Sequence, residues 1–135
     1  MKDKRIIFTN GCFDILHRGH IELFKYCKSI GDILIVGIDT DEKIKLDKGM
    51  SRPFNTLKDR IFLLNSIKYI DKIYSFNSCN DLENLVESIM PHVLVKGSDW
   101  RGKTVVGSRH AGEVVYFERI ENYSTTKILE NSFDR

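Results

Sequence analysis

The chain lacks any apolar run near the roughly 20 residues needed to cross a bilayer, so no membrane-spanning helix is expected. Its charged opening, "MKDKRIIFTNG", leads into an apolar stretch too short for a secretory signal, which makes cytoplasmic residence the expectation. Cysteine is scarce: Cys12, Cys27 and Cys79 are odd in number and form no C-x-x-C pair. Neither a disulfide framework nor a zinc knuckle follows from that pattern, and three reduced thiols are expected. Net charge is scarce too. A balance of +2 is too small to draw nucleic acid or a membrane surface by bulk electrostatics, though it leaves room for a local basic site. Internal repeats, low-complexity tracts and linkers are absent from the sequence.

What is present suits one domain. The 135 residues are 41% apolar and 30% charged, an ordinary balance for a globular chain long enough to bury a core. Apolar runs alternate with helical patterns. "RIIFT" reads as a buried strand, and "HIELFKYCKSI" as a helix with Ile21, Phe24 and Lys28 along one face and Gly31 as its stop. "DILIVGID" is continuous in the manner of a strand covered on both faces. Residues 40 to 55 carry four basic residues, Gly49 and Pro53 with little periodicity, and read as an exposed loop. Thr56 then caps a helix over "LKDRIFLLNSIKYI", with Leu57, Ile61, Leu64 and Lys68 on one stripe. "KIYSF", "HVLVKG" and "EVVYFE" supply three more strands, "DLENLVESIM" a helix ended by Pro91, and "STTKILE" a closing helix. The order predicts an α/β fold: a Rossmann-like, doubly wound, five-stranded parallel sheet in a single domain, with right-handed crossovers. Ligands of such sheets bind beyond the carboxyl ends of the strands, so the strand-to-helix turns are the place to look for function.

The first turn, "TNGCFDILHRGH", is the most unusual. His17 and His20 are three residues apart and face the same way at a helix start. A metal site there would need further ligands. Asp14 could serve as one, but no other His or Cys cluster follows and the H-E-x-x-H form is missing. A phosphate site fits better. The turn follows a strand and opens a helix, Gly11 and Gly19 let an anion approach the backbone, and two imidazoles can donate hydrogen bonds to growing charge. The plain alternative is a helix start with His20 packed and His17 exposed.

"GCFDILHRGH" resembles the G-x-F-D-x-x-H-x-G-H signature of the cytidylyltransferase-like nucleotidylyltransferases, and the resemblance runs over about residues 5 to 130. It implies the reaction of an NTP with a phosphorylated small molecule, giving an NDP-linked product and pyrophosphate. It also implies that His17 and His20 hold the triphosphate and stabilise the pentavalent transition state. The acceptor's own phosphate attacks, with no protein nucleophile. Within the signature, Thr9, Gly11, Cys12, Phe13, Asp14 and Gly19 are expected around the nucleotide and its phosphates.

The resemblance extends to other turns. Functional lysines occur on the corresponding loop of the glycerol-3-phosphate cytidylyltransferases, which suggests Lys48 for nucleotide and Lys45 for acceptor. Arg60 in "LKDR" is similar to the arginine that contacts nucleotide or acceptor phosphate in the family, and Lys68 stands where an arginine is frequent. In "VKGSDWRGK", Asp99 resembles the acidic residue near the nucleotide, while Trp100 either stacks on a base or covers the sheet. "RIENYSTTKILE" resembles R-T-E-G-x-S-T-T, in which the arginine and hydroxyls grip the triphosphate; here they are Arg119, Ser124 and Thr125. Ser and Thr at a helix start independently suit either a cap or an anion.

Two substrate pairs compete. "KGMSRP" and "VLVKGSDW" look like the adenylyltransferase domain of ADP-heptose synthases, with ATP and heptose 1-phosphate as substrates. Arg119, the short spacer before it and the overall length look like glycerol-3-phosphate cytidylyltransferase. The sequence leans toward CTP and a small phosphorylated polyol. Mg²⁺ is expected to accompany the NTP with few protein ligands, and the resemblance implies a homodimer. The alternative from another class is a nucleotide-binding module without turnover.

Overall fold

In a computed structural model the described residues, 3–118, form one five-stranded sheet, all parallel, in the order β3-β2-β1-β4-β5. The elements are β1 (Ile6–Gly11), α1 (Arg18–Ser29), β2 (Ile33–Asp39), α2 (Asp41–Lys48), α3 (Leu57–Asn65), β3 (Lys72–Phe76), α4 (Cys79–Ile89), β4 (Val93–Gly97) and β5 (Glu113–Phe117). Single 3-10 turns at Ser98–Trp100 and Ser108–His110 lie between β4 and β5. The expected fold class is therefore the one found. The closing helix expected over "STTKILE", together with Arg119, Ser124 and Thr125, lies outside the described residues.

Period-two alternation along the central strands divides the core into two layers. Ile7, Val36, Val93 and Val95 face α1, packing with its Phe24 and Cys27. Phe8, Ile35 and Leu94 face the opposite way, onto Leu82 and Val86 of α4. Both faces being covered explains why these strands read as continuous apolar runs. Gly31, just past the end of α1, must be small: a Cβ there would lie 2.4 Å from Cγ1 of Ile7.

Two elements differ from the sequence reading. Residues 41–48, expected as part of an exposed loop, form α2. Apolar periodicity misses this helix because only Ile44 is buried. Its stability comes from polar signals: Thr40 Oγ1 accepts from the Lys43 amide at 3.3 Å, acids occupy the first turn and lysines the last. Lys43 also bridges Asp39 and Asp47, four residues to either side, at 3.1 and 2.6 Å. In the other case α3 ends at Asn65 instead of running to residue 70. Its last amides tighten to i→i−3 bonds, Ser66 to Leu63 and Ile67 to Leu64, before the Asp71 amide joins the Leu34 carbonyl at the start of the sheet. Among the described residues no helix is long and apolar enough to cross a membrane.

Candidate active site

The chain builds β1, β2 and β3 outward on one side and then returns to place β4 on the other side of β1. Connections therefore diverge at the carboxyl ends of β1 and β4, which opens a crevice there. A cleft of about 450 Å³ occupies that position, at the ends of β1, β2 and β4.

The turn after β1 forms one wall. Phe13 holds a left-handed backbone (φ 48°), a conformation that costs a non-glycine residue of the order of 1 kcal/mol. Burial of its ring against Phe24 and the edge of His20, at centroid distances of 5.1 and 5.5 Å, holds it in place. Gly11 makes room: a Cβ there would meet that ring at 3.1 Å. The main chain then enters α1 with His17 as N-cap.

The two histidines interlock with the helix start. His17 Nδ1 accepts from the Gly19 amide at 3.0 Å, and His20 Nδ1 accepts from the His17 amide at 3.2 Å, a reciprocal capping box. An Nδ1 that accepts from a backbone N–H carries no proton, so each neutral ring is held as the Nε2–H tautomer. The rings stack with centroids 3.9 Å apart, and both line the cleft. The cap and the phosphate site, which the sequence posed as alternatives, are thus compatible: one ring nitrogen caps and the other carries the proton.

Asp14 is buried and serves as an anchor. Its carboxylate accepts from the amides of Phe54 and Asn55, each at 2.7 Å, and pairs with Arg52 at 3.4 Å. The segment between α2 and α3 is thereby fixed to the first turn. Thr9 is similarly committed, donating its hydroxyl to the Val95 carbonyl at 2.8 Å between β1 and β4.

The opposite wall is ionic. Asp39, Lys43, Asp47 and Lys48 come from the end of β2 and from α2, and Lys96 and Asp99 from the end of β4 and the turn after it. Lys43 is held protonated: desolvation pulls its pKa down, but the two carboxylates outweigh it and push it up. Lys96 is pulled down, chiefly by desolvation against the charges of Asp39 and Asp99. The Cys12 thiol in the cleft is pushed up by burial and by Asp39, so it stays protonated. All three cysteines are free thiols.

Of the residues expected around the nucleotide, the whole first-turn set from Thr9 to Gly19 faces the cleft, as do His20, Lys48 and Asp99. The three acceptor candidates do not line it. Lys45 is two positions from Lys43 on α2, about 200° around the helix axis, and turns away. Lys68 follows α3 on the way to the start of β3, at the amino end of the sheet, with its ammonium over the Tyr69 ring at 5.2 Å. Arg60 is fully buried. Its guanidinium donates to the carbonyls of Asn55, Cys12 and Asp39 at 3.1, 2.9 and 2.7 Å and pairs with Asp41 at 2.7 Å. It ties together the ends of β1 and β2 and the starts of α2 and α3. Sequence reasoning passed over Asp39, Lys43, Arg52 and Lys96, all of which line the cleft. The signal was present for Asp39 and Lys96: each is a charge at the carboxyl end of an otherwise apolar strand.

Among the described residues no group of three or more His, Cys, Asp or Glu side chains gathers to hold a metal ion. The arrangement suits a polyphosphate: imidazole N–H donors on one wall, ammonium groups on the other, and a strand-end crevice between them.

Known proteins match along nearly the whole chain. The bifunctional protein HldE of Helicobacter hepaticus is 47% identical over 131 residues, 97% of this chain and 27% of that protein. The HldE of Nitratiruptor sp. is 46% identical over 129 residues, 96% of this chain and 28% of that protein. The chain thus spans little more than a quarter of these curated relatives. A crystal structure of the lipopolysaccharide core biosynthesis protein from Thermoplasma volcanium superposes with a TM-score of 0.68 at 25% identity, covering 90% of this chain and all of that one. The family description "Cytidylyltransferase-like" matches residues 8–131, and the chain belongs to that family of nucleotidyltransferases.

Proposed function

We propose that the protein transfers an adenylyl group from ATP to the phosphate of a sugar 1-phosphate of the heptose type, releasing pyrophosphate. The observation that carries the reaction class is the pair of Nε2–H imidazoles fixed at the start of α1 in a strand-end cleft. An oxygen of the acceptor phosphate attacks the α-phosphorus, the bond from that phosphorus to the bridging oxygen breaks, and the electron pair leaves with pyrophosphate. No proton need move. The protein's task is to gather two polyanions and to stabilise charge on the equatorial oxygens and the leaving group. His17 and His20 donate to those oxygens, aided by the positive end of the α1 dipole. Mg²⁺ enters as part of the Mg–ATP substrate.

The choice of ATP and a heptose phosphate is supported by the HldE relatives and by the lipopolysaccharide-core neighbour, whose likeness favours the ADP-heptose reading over the CTP reading toward which the sequence leans. A second reading, CTP with glycerol 3-phosphate, is favoured by Arg119 in "RIENYSTTK". Pyrophosphate release with each NTP against heptose 1-phosphate and glycerol 3-phosphate separates them. ATP with the heptose is expected to be fastest; CTP with glycerol 3-phosphate fastest reverses the assignment, and NTP binding with no pyrophosphate from any pair identifies a binding module.

A further inference from the structure

Among the described residues, the three lysines that line the cleft differ in their partners. Lys43 is neutralised by Asp39 and Asp47, and Lys48 lies beside the Cys12 thiol. Lys96 is only 8% exposed, yet among the described residues it forms no ion pair and no hydrogen bond; its directed contact is the face of Trp100, 4.4 Å from ammonium to ring centroid. No side-chain nitrogen or oxygen is fully buried without a partner among the described residues, so what exposure Lys96 retains includes its ammonium, which meets the cleft. A desolvated ammonium with no carboxylate bonded to it, steadied by a ring, is poised to take an anion.

Its position says which anion. Lys96 follows Val95, so alternation points it to the sheet face of Leu94 and Phe8, the α4 side. The histidines stand on α1, on the opposite face. The two substrates of the proposed reaction each carry phosphate, and in-line attack brings the nucleophile to the α-phosphorus from the side away from the leaving pyrophosphate. A triphosphate tail on the histidine wall leaves the Lys96 wall for the incoming group. We propose that Lys96 binds the acceptor's phosphate, and that Asp39 and Asp99, on the same wall, face the acceptor's hydroxyls. Lys96 thereby offsets the repulsion between two polyanions and aims the attacking oxygen. This rests on the reaction proposed above.

The test uses Lys96→Met, which keeps the length and loses the charge, and Lys96→Arg. With ATP and heptose 1-phosphate, Lys96→Met should raise the acceptor KM at least about tenfold, the loss expected for a charged hydrogen bond, while the ATP KM stays within about twofold. Lys96→Arg should recover part of the loss. An unchanged acceptor KM, or a rise in the ATP KM in its place, overturns the assignment. A second measurement needs no turnover. In the wild-type protein the Lys96 Cε resonance, identified by its loss in Lys96→Arg, should titrate below ordinary lysines and move upward when inorganic phosphate is added. Asp39 from β2, Asp99 after β4, Cys12 from the first turn and Lys43 from α2 set the starting point of that titration. No movement with phosphate overturns the proposal even if Lys96→Met fails to fold. Movement without any pyrophosphate release keeps Lys96 as a phosphate anchor and removes the reaction it was argued to serve.

Discussion

At the level of single residues, His17 shows how one side chain can hold two roles whose losses separate. Its Nδ1 caps α1 and its ring lines the cleft. His17→Ala removes both: stability should fall by about 1 kcal/mol, the usual cost of a lost cap, and kcat by about 10²–10³, the usual cost of a lost transition-state donor. His17→Ser should restore the urea midpoint, because serine caps well, and leave kcat low. If His17→Ser recovers turnover together with stability, the imidazole is a cap alone. His20→Ala should likewise lower kcat strongly in a folded protein, and near-normal turnover there would remove its assigned role. Arg60 teaches the converse. In "LKDR" it resembles an arginine that contacts nucleotide or acceptor phosphate, and nothing local says that the carbonyls of Cys12 and Asp39, far away in sequence, need donors at the strand ends. Arg60→Ala leaves those buried carbonyls without their donor and removes the cation paired with Asp41, so it should cost about 3–5 kcal/mol by urea denaturation, as for other broken buried pairs. A folded, undiminished variant with altered substrate KM would return Arg60 to the substrate.

At the level of elements, legibility followed hydrophobic burial. The five strands and the helices α1 and α4 have apolar faces against the sheet, and their order and type could be read directly. The helix α2 buries little besides Ile44 and so left no periodic trace; its only written signs were Thr40 ahead of two acids and lysines at the end. This helix is also tied electrostatically. Against the upward push of desolvation, the hydrogen bond and charge of Arg60 hold the Asp41 carboxyl below the ordinary aspartate value of 3.8. A folded pKa below the unfolded one means that the tie contributes fully above about pH 4 and is lost as the carboxyl protonates on further acidification. The contribution of this tie should therefore be nearly flat from neutral pH to about pH 5 and fall away beneath pH 4, with Asp71, held low by Lys28 against its own desolvation, adding to the acid loss. Asp41→Asn should flatten that acid limb, measured as the urea midpoint between pH 3 and pH 7. An unchanged limb would mean that the Arg60 tie does not depend on the Asp41 charge.

At the level of the whole molecule, function follows from where the sheet changes direction. The order β3-β2-β1-β4-β5 sets the first turn and the end of β4 side by side, although Gly19 and Val95 are 76 positions apart in sequence. That neighbourhood was implied by the fold class, whereas the side on which each charge falls was not, since it depends on strand alternation and on helix ends fixed only in three dimensions. A cleft built this way should couple nucleotide binding to the stability of the entire domain, because it joins β1, β2, β4 and α1. A ligand at about 100 times its Kd adds about 2.7 kcal/mol to the folded state, equivalent for a domain of this size to roughly 10 °C in Tm. Mg–ATP should produce such a shift and Mg–CTP at the same concentration a smaller one. Lys96→Met should keep the ATP shift, since the triphosphate is held on the other wall, and His17→Ser should reduce it. A larger shift with CTP than with ATP would move the nucleotide assignment to the cytidylyl reading while leaving the cleft as its site.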